Sequence, residues 1–93
     1  MGAKITIRYC TGCRWLLRSA WMAQELLSTF EGDIQSLSLE PADGGVFQIT
    51  VNDKEVWCRK KAGGFPAITE LKQRVRDVIA PERQLGHTDN PHS

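Results

Sequence analysis

The chain has 93 residues, room for one small domain but not for two separate cores. A hydrophobic share of 41% with 25% charged residues is a globular balance and excludes disorder as the default. Twelve Lys and Arg against eleven Asp and Glu leave a net charge of +1, which argues against nucleic-acid binding through a basic surface. No apolar run approaches the roughly 20 residues of a membrane span. Met1 to Arg8 alternates like a strand and lacks the apolar core of a secretory signal, so a cytoplasmic protein is expected.

Lys4 to Tyr9 alternates strictly, with Ile5, Ile7 and Tyr9 on one face and Lys4, Thr6 and Arg8 on the other. This predicts a first strand, followed by a tight turn at Gly12. From Arg14 to Phe30 the period becomes helical, and Leu16, Ala20, Ala23, Leu27 and Phe30 fall on one line. Gly32 ends that helix. Ile34 to Glu40 reads as a second strand with Leu37 and Leu39 inward, and Pro41 to Gly45 as loop.

Val46 to Val51 and Glu55 to Lys60 flank Asn52-Asp53-Lys54 and predict a hairpin. Phe47, Ile49 and Val51 share its inner face; Val56 and Cys58 are expected to point inward and Trp57 outward. Gly63-Gly64-Phe65-Pro66 is a turn, with Pro66 suited to a first helical position. Ile68, Leu71, Val75, Val78 and Ile79 recur at helical spacing up to Ala80, and Pro81 stops the helix. The expected division is one domain over 1–80 and a loose polar tail over 81–93.

The order β-α-β-β-β-α predicts an α/β two-layer sandwich. A right-handed parallel crossover followed by an antiparallel hairpin gives a mixed four-stranded sheet of order 2-1-3-4. Every strand has one polar face, so two helices should cover one side and leave the other wet. The expected core is Ile5, Ile7, Leu16, Leu27, Phe47, Ile49, Leu71 and Val75. The first strand is then central, and its C-terminal end is where such sheets build sites.

At that end stands Cys10-Thr11-Gly12-Cys13, two of the three cysteines of the chain. An odd, low count is no secreted disulfide framework. A Cys-x-x-Cys between strand and helix favours a thiolate, because unpaired N–H groups and the helix dipole stabilise negative charge. Arg8, Arg14 and Arg18 add positive potential. The pair is expected to attack a substrate disulfide, pass through a mixed disulfide and close on itself. In this reading Cys10 is exposed and attacks, and Cys13 is shielded and resolves.

Two other readings of the pair stay open: a structural pair, and zinc. Zinc wants four ligands and no second Cys or His pair accompanies the first, so no metal is expected. Cys58 reads as a small buried hydrophobe, and His87 and His92 as solvated tail residues. Gly63 and Gly64 are either a plain turn or a seat for a substrate carboxylate beside a helix N-terminus. With Thr11 and Gly12 of the motif they are the candidate substrate-binding residues. Trp15 and Met22 lie on one flank of the first helix. Trp21, pointing away from the core, and Trp57 are candidates for a partner surface.

The strand ending in Tyr9-Cys10-Thr11-Gly12-Cys13, with Gly44-Gly45-Val46-Phe47, Val56-Trp57-Cys58-Arg59-Lys60 and Gly64-Phe65-Pro66, resembles the selenoprotein W/T/H (Rdx) family. The similarity is to bacterial members with a cysteine-only motif and runs from about Lys4 to Ala80. Leu85-Gly86-His87-Thr88-Asp89 also resembles the end of such relatives. The resemblance implies a thioredoxin-like fold and a thiol redox role, with glutathione or protein thiols as partners. Selenocysteine-containing relatives carry selenium at the position of Cys13. The expected function is a small thiol–disulfide redox protein without a bound cofactor, with neither nucleic acid nor membrane as partner. The alternative is a non-catalytic interaction module using the open sheet face and exposed tryptophans.

Overall fold

A computed structural model describes residues 2–82 of the chain. β1 (Ala3–Cys10) and β2 (Ile34–Ala42) run parallel, while β3 (Phe47–Val51) is antiparallel to β1, and β4 (Lys54–Cys58) to β3. The four strands form one mixed sheet in the order β2-β1-β3-β4, as the sequence predicts. Among the described residues three helices accompany it: α1 (Leu16–Thr29), a single-turn α2 (Arg59–Ala62) and α3 (Ile68–Ile79). The two long helices were expected; the short one takes residues assigned to the end of β4.

Alternation in β1 holds the sheet's orientation. Ile5, Ile7 and Tyr9 are buried, and they stand opposite Val51, Ile49 and Phe47 of β3, which are buried with them. The hairpin turn is the two residues Asn52 and Asp53, at φ 51° and 68°, the left-handed pair that matches strand twist. Asn52 also anchors β1: Lys4 N–H donates to its Oδ1 at 3.0 Å, and its own N–H donates to the Lys4 carbonyl at 2.8 Å. β2 runs past Pro41 to Ala42, two residues beyond the expected end. As an edge strand it tolerates a proline whose nitrogen has no hydrogen to donate. Lys4, Thr6, Ser36, Ser38 and Thr50 line the polar, uncovered face.

A bulge between Ile49 and Thr50 reverses the expected facing of Trp57 and Cys58. Trp57 stands opposite Ile49 and is buried, whereas Cys58 stands opposite Gln48 and is only half-buried. Val56 is buried as expected. The Trp57 indole N–H donates to the Gly64 carbonyl at 2.9 Å, so this residue is a core side chain with a satisfied polar end, and no outward tryptophan.

α1 also departs from expectation. Its buried residues are Ser19, Met22, Ala23, Leu26 and Thr29, followed by Phe30 at its C-cap. Leu16 and Leu27, expected in the core, are 47% and 44% exposed. Two lines on this helix share Ala23 and Phe30, and the sheet takes the one containing the polar Ser19 and Thr29. Counting apolar residues alone selects the other. The helices are tied by Lys72, buried on α3, whose Nζ lies 2.9 Å from Glu25 Oε1 on α1. Among the described residues, no helix is long and apolar enough to cross a membrane. The expected tail, with His87 and His92, lies from residue 83 onward outside the described residues.

Candidate functional site: the dithiol loop

Cys10 is the last residue of β1, and Thr11 to Arg14 make a turn before α1 begins. Arg14 N–H donates to the Thr11 carbonyl at 3.0 Å, and Arg14 adopts φ 61°. Trp15 is the N-cap of α1. The motif therefore sits in a turn between strand and helix, and α1 begins two residues later than the expected Arg14. Thr11 fixes the loop to the neighbouring strand, since its N–H and its hydroxyl both donate to the Ala42 carbonyl, at 3.0 and 3.2 Å.

The exposures of the two sulfurs are the reverse of those expected. Cys10 is 3% exposed, whereas Cys13 is exposed. All three cysteines are free thiols. Strand alternation groups Cys10 with Lys4, Thr6 and Arg8, yet Cys10 is buried where Lys4 and Arg8 are exposed. Gly45, in the loop after β2, hydrogen-bonds the Cys10 sulfur through its backbone. Gly44 and Gly45 take φ 72° and 74°, values that favour glycine.

Cys13 hydrogen-bonds Cys10 directly. This contact, followed by backbone N–H groups of Gly45, Cys13 and Gly12 working against burial, holds the Cys10 thiol below its ordinary acidity range. The same contact, with burial and the neighbouring negative charge, pushes Cys13 up, opposed by Gly45 and the positive charge of Arg59. The two thiols behave as one unit in which the first proton leaves easily and the second is held. The local causes are a sulfur–sulfur hydrogen bond, which the sequence did not suggest, and backbone N–H groups of two loops, where it suggested those at a helix end with the helix dipole.

Beyond Cys13 lies an aromatic cluster. Trp15 meets Phe65 edge-on at 4.9 Å between ring centroids, and Phe65 meets Phe47 at 4.9 Å. Arg59 lies over the Trp15 ring at 4.8 Å and 5.6 Å from the Phe65 centroid, while Arg18 lies over Phe65 at 4.2 Å. The sequence reading gave Arg18 a role at the site, but named Arg59 and Gly45 only among the residues of the family resemblance. Arg59 is distant in sequence, and only the close of β4 into α2 brings it here. Gly45 could be suspected from the Gly44-Gly45 doublet.

The four candidate substrate-binding residues fall in two places. Thr11 and Gly12 are exposed within the motif loop. Gly63 caps α2 at φ 83° with its N–H on the Arg59 carbonyl at 2.7 Å, and the Gly64 carbonyl accepts from Trp57. Both glycines thus have backbone groups engaged in structure. Most of the exposed large apolar side chains described are on α1, where Leu17 is 83% and Trp21 47% exposed; Leu39 of β2, expected inward, is exposed too, and Trp15 is half-buried.

No curated protein matches the chain. Among solved structures it is similar to a selenoprotein W-related protein from Vibrio cholerae, at 52% identity and a TM-score of 0.83, covering 85% of this chain and 99% of that one. It is similar also to a protein from Bordetella parapertussis, at 56% identity and a TM-score of 0.81, covering 83% and 98%. The model of the Rdx family matches residues 4–77. Sheet order, dithiol loop and both comparisons agree: the chain has a thioredoxin-like fold and belongs to the Rdx family.

Proposed function

We propose that the protein is a thiol–disulfide redox protein in which Cys13 attacks and Cys10 resolves. The hydrogen bond between an exposed Cys13 and a buried, acidified Cys10 is the observation that carries this reading. With one proton lost from the pair, Cys10 accepts from Cys13. As Cys13 Sγ attacks a disulfide RS–SR, its proton passes to Cys10 and one RS⁻ leaves. Cys10 then gives up that proton and attacks Cys13 Sγ, which expels the second RS⁻. The leaving thiolates take up protons, so the balance is two RSH released, two electrons transferred and one Cys10–Cys13 disulfide formed.

Family membership supports the redox role, and the proposed substrates are glutathione disulfide or protein disulfides. No bound cofactor enters the cycle. A cytoplasmic setting, where glutathione holds thiols reduced, suits it. The interaction-module alternative now draws on the α1 face bearing Leu17 and Trp21, because the uncovered sheet face is polar and Trp57 is buried.

The test is trapping with oxidised glutathione. Wild-type protein should form the internal disulfide and release two equivalents of glutathione. Cys10→Ser should accumulate one glutathionyl adduct on Cys13, and Cys13→Ser should accumulate far less on the buried Cys10. An adduct confined to Cys10 would reverse the roles. No adduct and no internal disulfide would remove the redox reading.

A further inference from the structure

Resting on the redox reading above, we propose that Arg18 and Arg59, gathered on Phe65 beyond the dithiol loop, form a subsite for a carboxylate of the disulfide that Cys13 attacks. Two cations on one ring need a reason. Arg8, Lys61, Lys72, Arg74 and Arg76 each lie against an acidic side chain. Arg18 and Arg59 have no such partner among the described residues, although they share the Phe65 ring. Arg59 Nε is moreover enclosed without an acceptor among the described residues.

Stacking engages the flat face of a guanidinium and leaves its edge N–H groups for an anion in the plane. The aromatic cluster also removes water from one side of each charge, so an arriving carboxylate is held more strongly than at an open surface. Position connects this pair to the chemistry. Arg59 lies over Trp15, two residues after Cys13, and Arg18 lies in the first turn of α1 behind the same loop. The Arg59 charge is felt at the Cys13 sulfur. A ligand with its carboxylate between these arginines presents its sulfur next to the exposed thiol. The substrate class selected is a small disulfide that carries carboxylates, in preference to neutral or cationic ones.

The experiment compares three small disulfides on the reduced full chain: dithiobis(nitrobenzoate), a dianion; dithiodipyridine, neutral; and cystamine, a dication. Each is run against wild type, Arg18→Gln and Arg59→Gln. Each variant should lose about tenfold more in rate with the dianion than it loses with dithiodipyridine, the worth of one charged hydrogen bond. The wild-type preference for the dianion over cystamine should shrink as salt is raised. The neutral reagent controls for folding and for thiol ionisation, which an arginine variant also disturbs. Equal losses with dianion and neutral reagent would overturn the subsite, as would no loss at all or a preference insensitive to salt. Reaction with none of the three would instead overturn the redox reading, and the subsite with it.

Discussion

The Cys13 side chain hydrogen-bonds the Cys10 sulfur, and this contact is the largest influence on both acidities, lowering one and raising the other. Removing either partner should therefore move the survivor in a known direction. In Cys13→Ala, Cys10 loses its main acidifying contact and should titrate at higher pH. In Cys10→Ala, Cys13 escapes its main opposing contact while Gly45 and Arg59 still act on it, so it should titrate at lower pH. Ultraviolet thiolate absorbance against pH measures both. A lowered pKa means more thiolate at neutral pH, so the first ionisation of wild type should come at lower pH than that of Cys10 in the Cys13→Ala variant. Shifts of the same sign in both variants would show that the sulfurs do not share a proton.

Gly45 supplies a separate test of the backbone N–H groups. Its φ of 74° strains any residue with a Cβ, so Gly45→Ala should cost about 1–2 kcal/mol. The adjustment should also draw its N–H away from the Cys10 sulfur and raise the Cys10 titration. Gly44→Ala is the control: at φ 72° it is strained alike, and it should lose stability without that titration shift. Denaturant midpoints and thiol titrations of both variants separate the two effects. Equal titration shifts would mean that loop shape matters and the Gly45 amide does not.

The core should divide along the line that the structure draws and the apolar count did not. Ile7→Ala, fully buried at the centre of the sheet, should cost about 2–5 kcal/mol. Leu16→Ala and Leu27→Ala, both near half exposed, should cost about 1 kcal/mol or less. Losses as large as that of Ile7 at either leucine would put α1 back on the face first expected.

Strand order, both long helices and the position of the dithiol were legible in the chain because period-two and helical patterns are set locally. Ile5, Ile7, Phe47 and Ile49 were placed correctly on that basis. Trp57 and Cys58 were not, since a bulge depends on how β4 meets β3 and leaves no mark in alternation. The same holds at the site. Cys10 and Cys13 announce themselves by spacing, yet their exposures depend on the Gly45 loop, brought over from the end of β2. Arg59 reaches the cluster through its tertiary contact with Trp15, at a separation no local pattern spans.

Ser19 carries the last prediction. It is fully buried on the sheet-facing side of α1, and its hydroxyl has no hydrogen-bond partner among the described residues. A buried hydroxyl without a partner loses its water and gains nothing in exchange, a cost of about 1–3 kcal/mol. Replacing it by alanine removes that cost and leaves only an oxygen-sized gap. Alanine is also the better helix former, by up to roughly 0.7 kcal/mol. Ser19→Ala should therefore stabilise the protein, with a higher denaturant midpoint at unchanged slope. The variant lies one helical turn beyond Trp15, whose carbonyl already accepts from the Ser19 N–H at 3.0 Å. A loss of stability on substitution would show that the hydroxyl back-bonds to that same carbonyl, and that the polar line on α1 was chosen for the bond as well as for its shape.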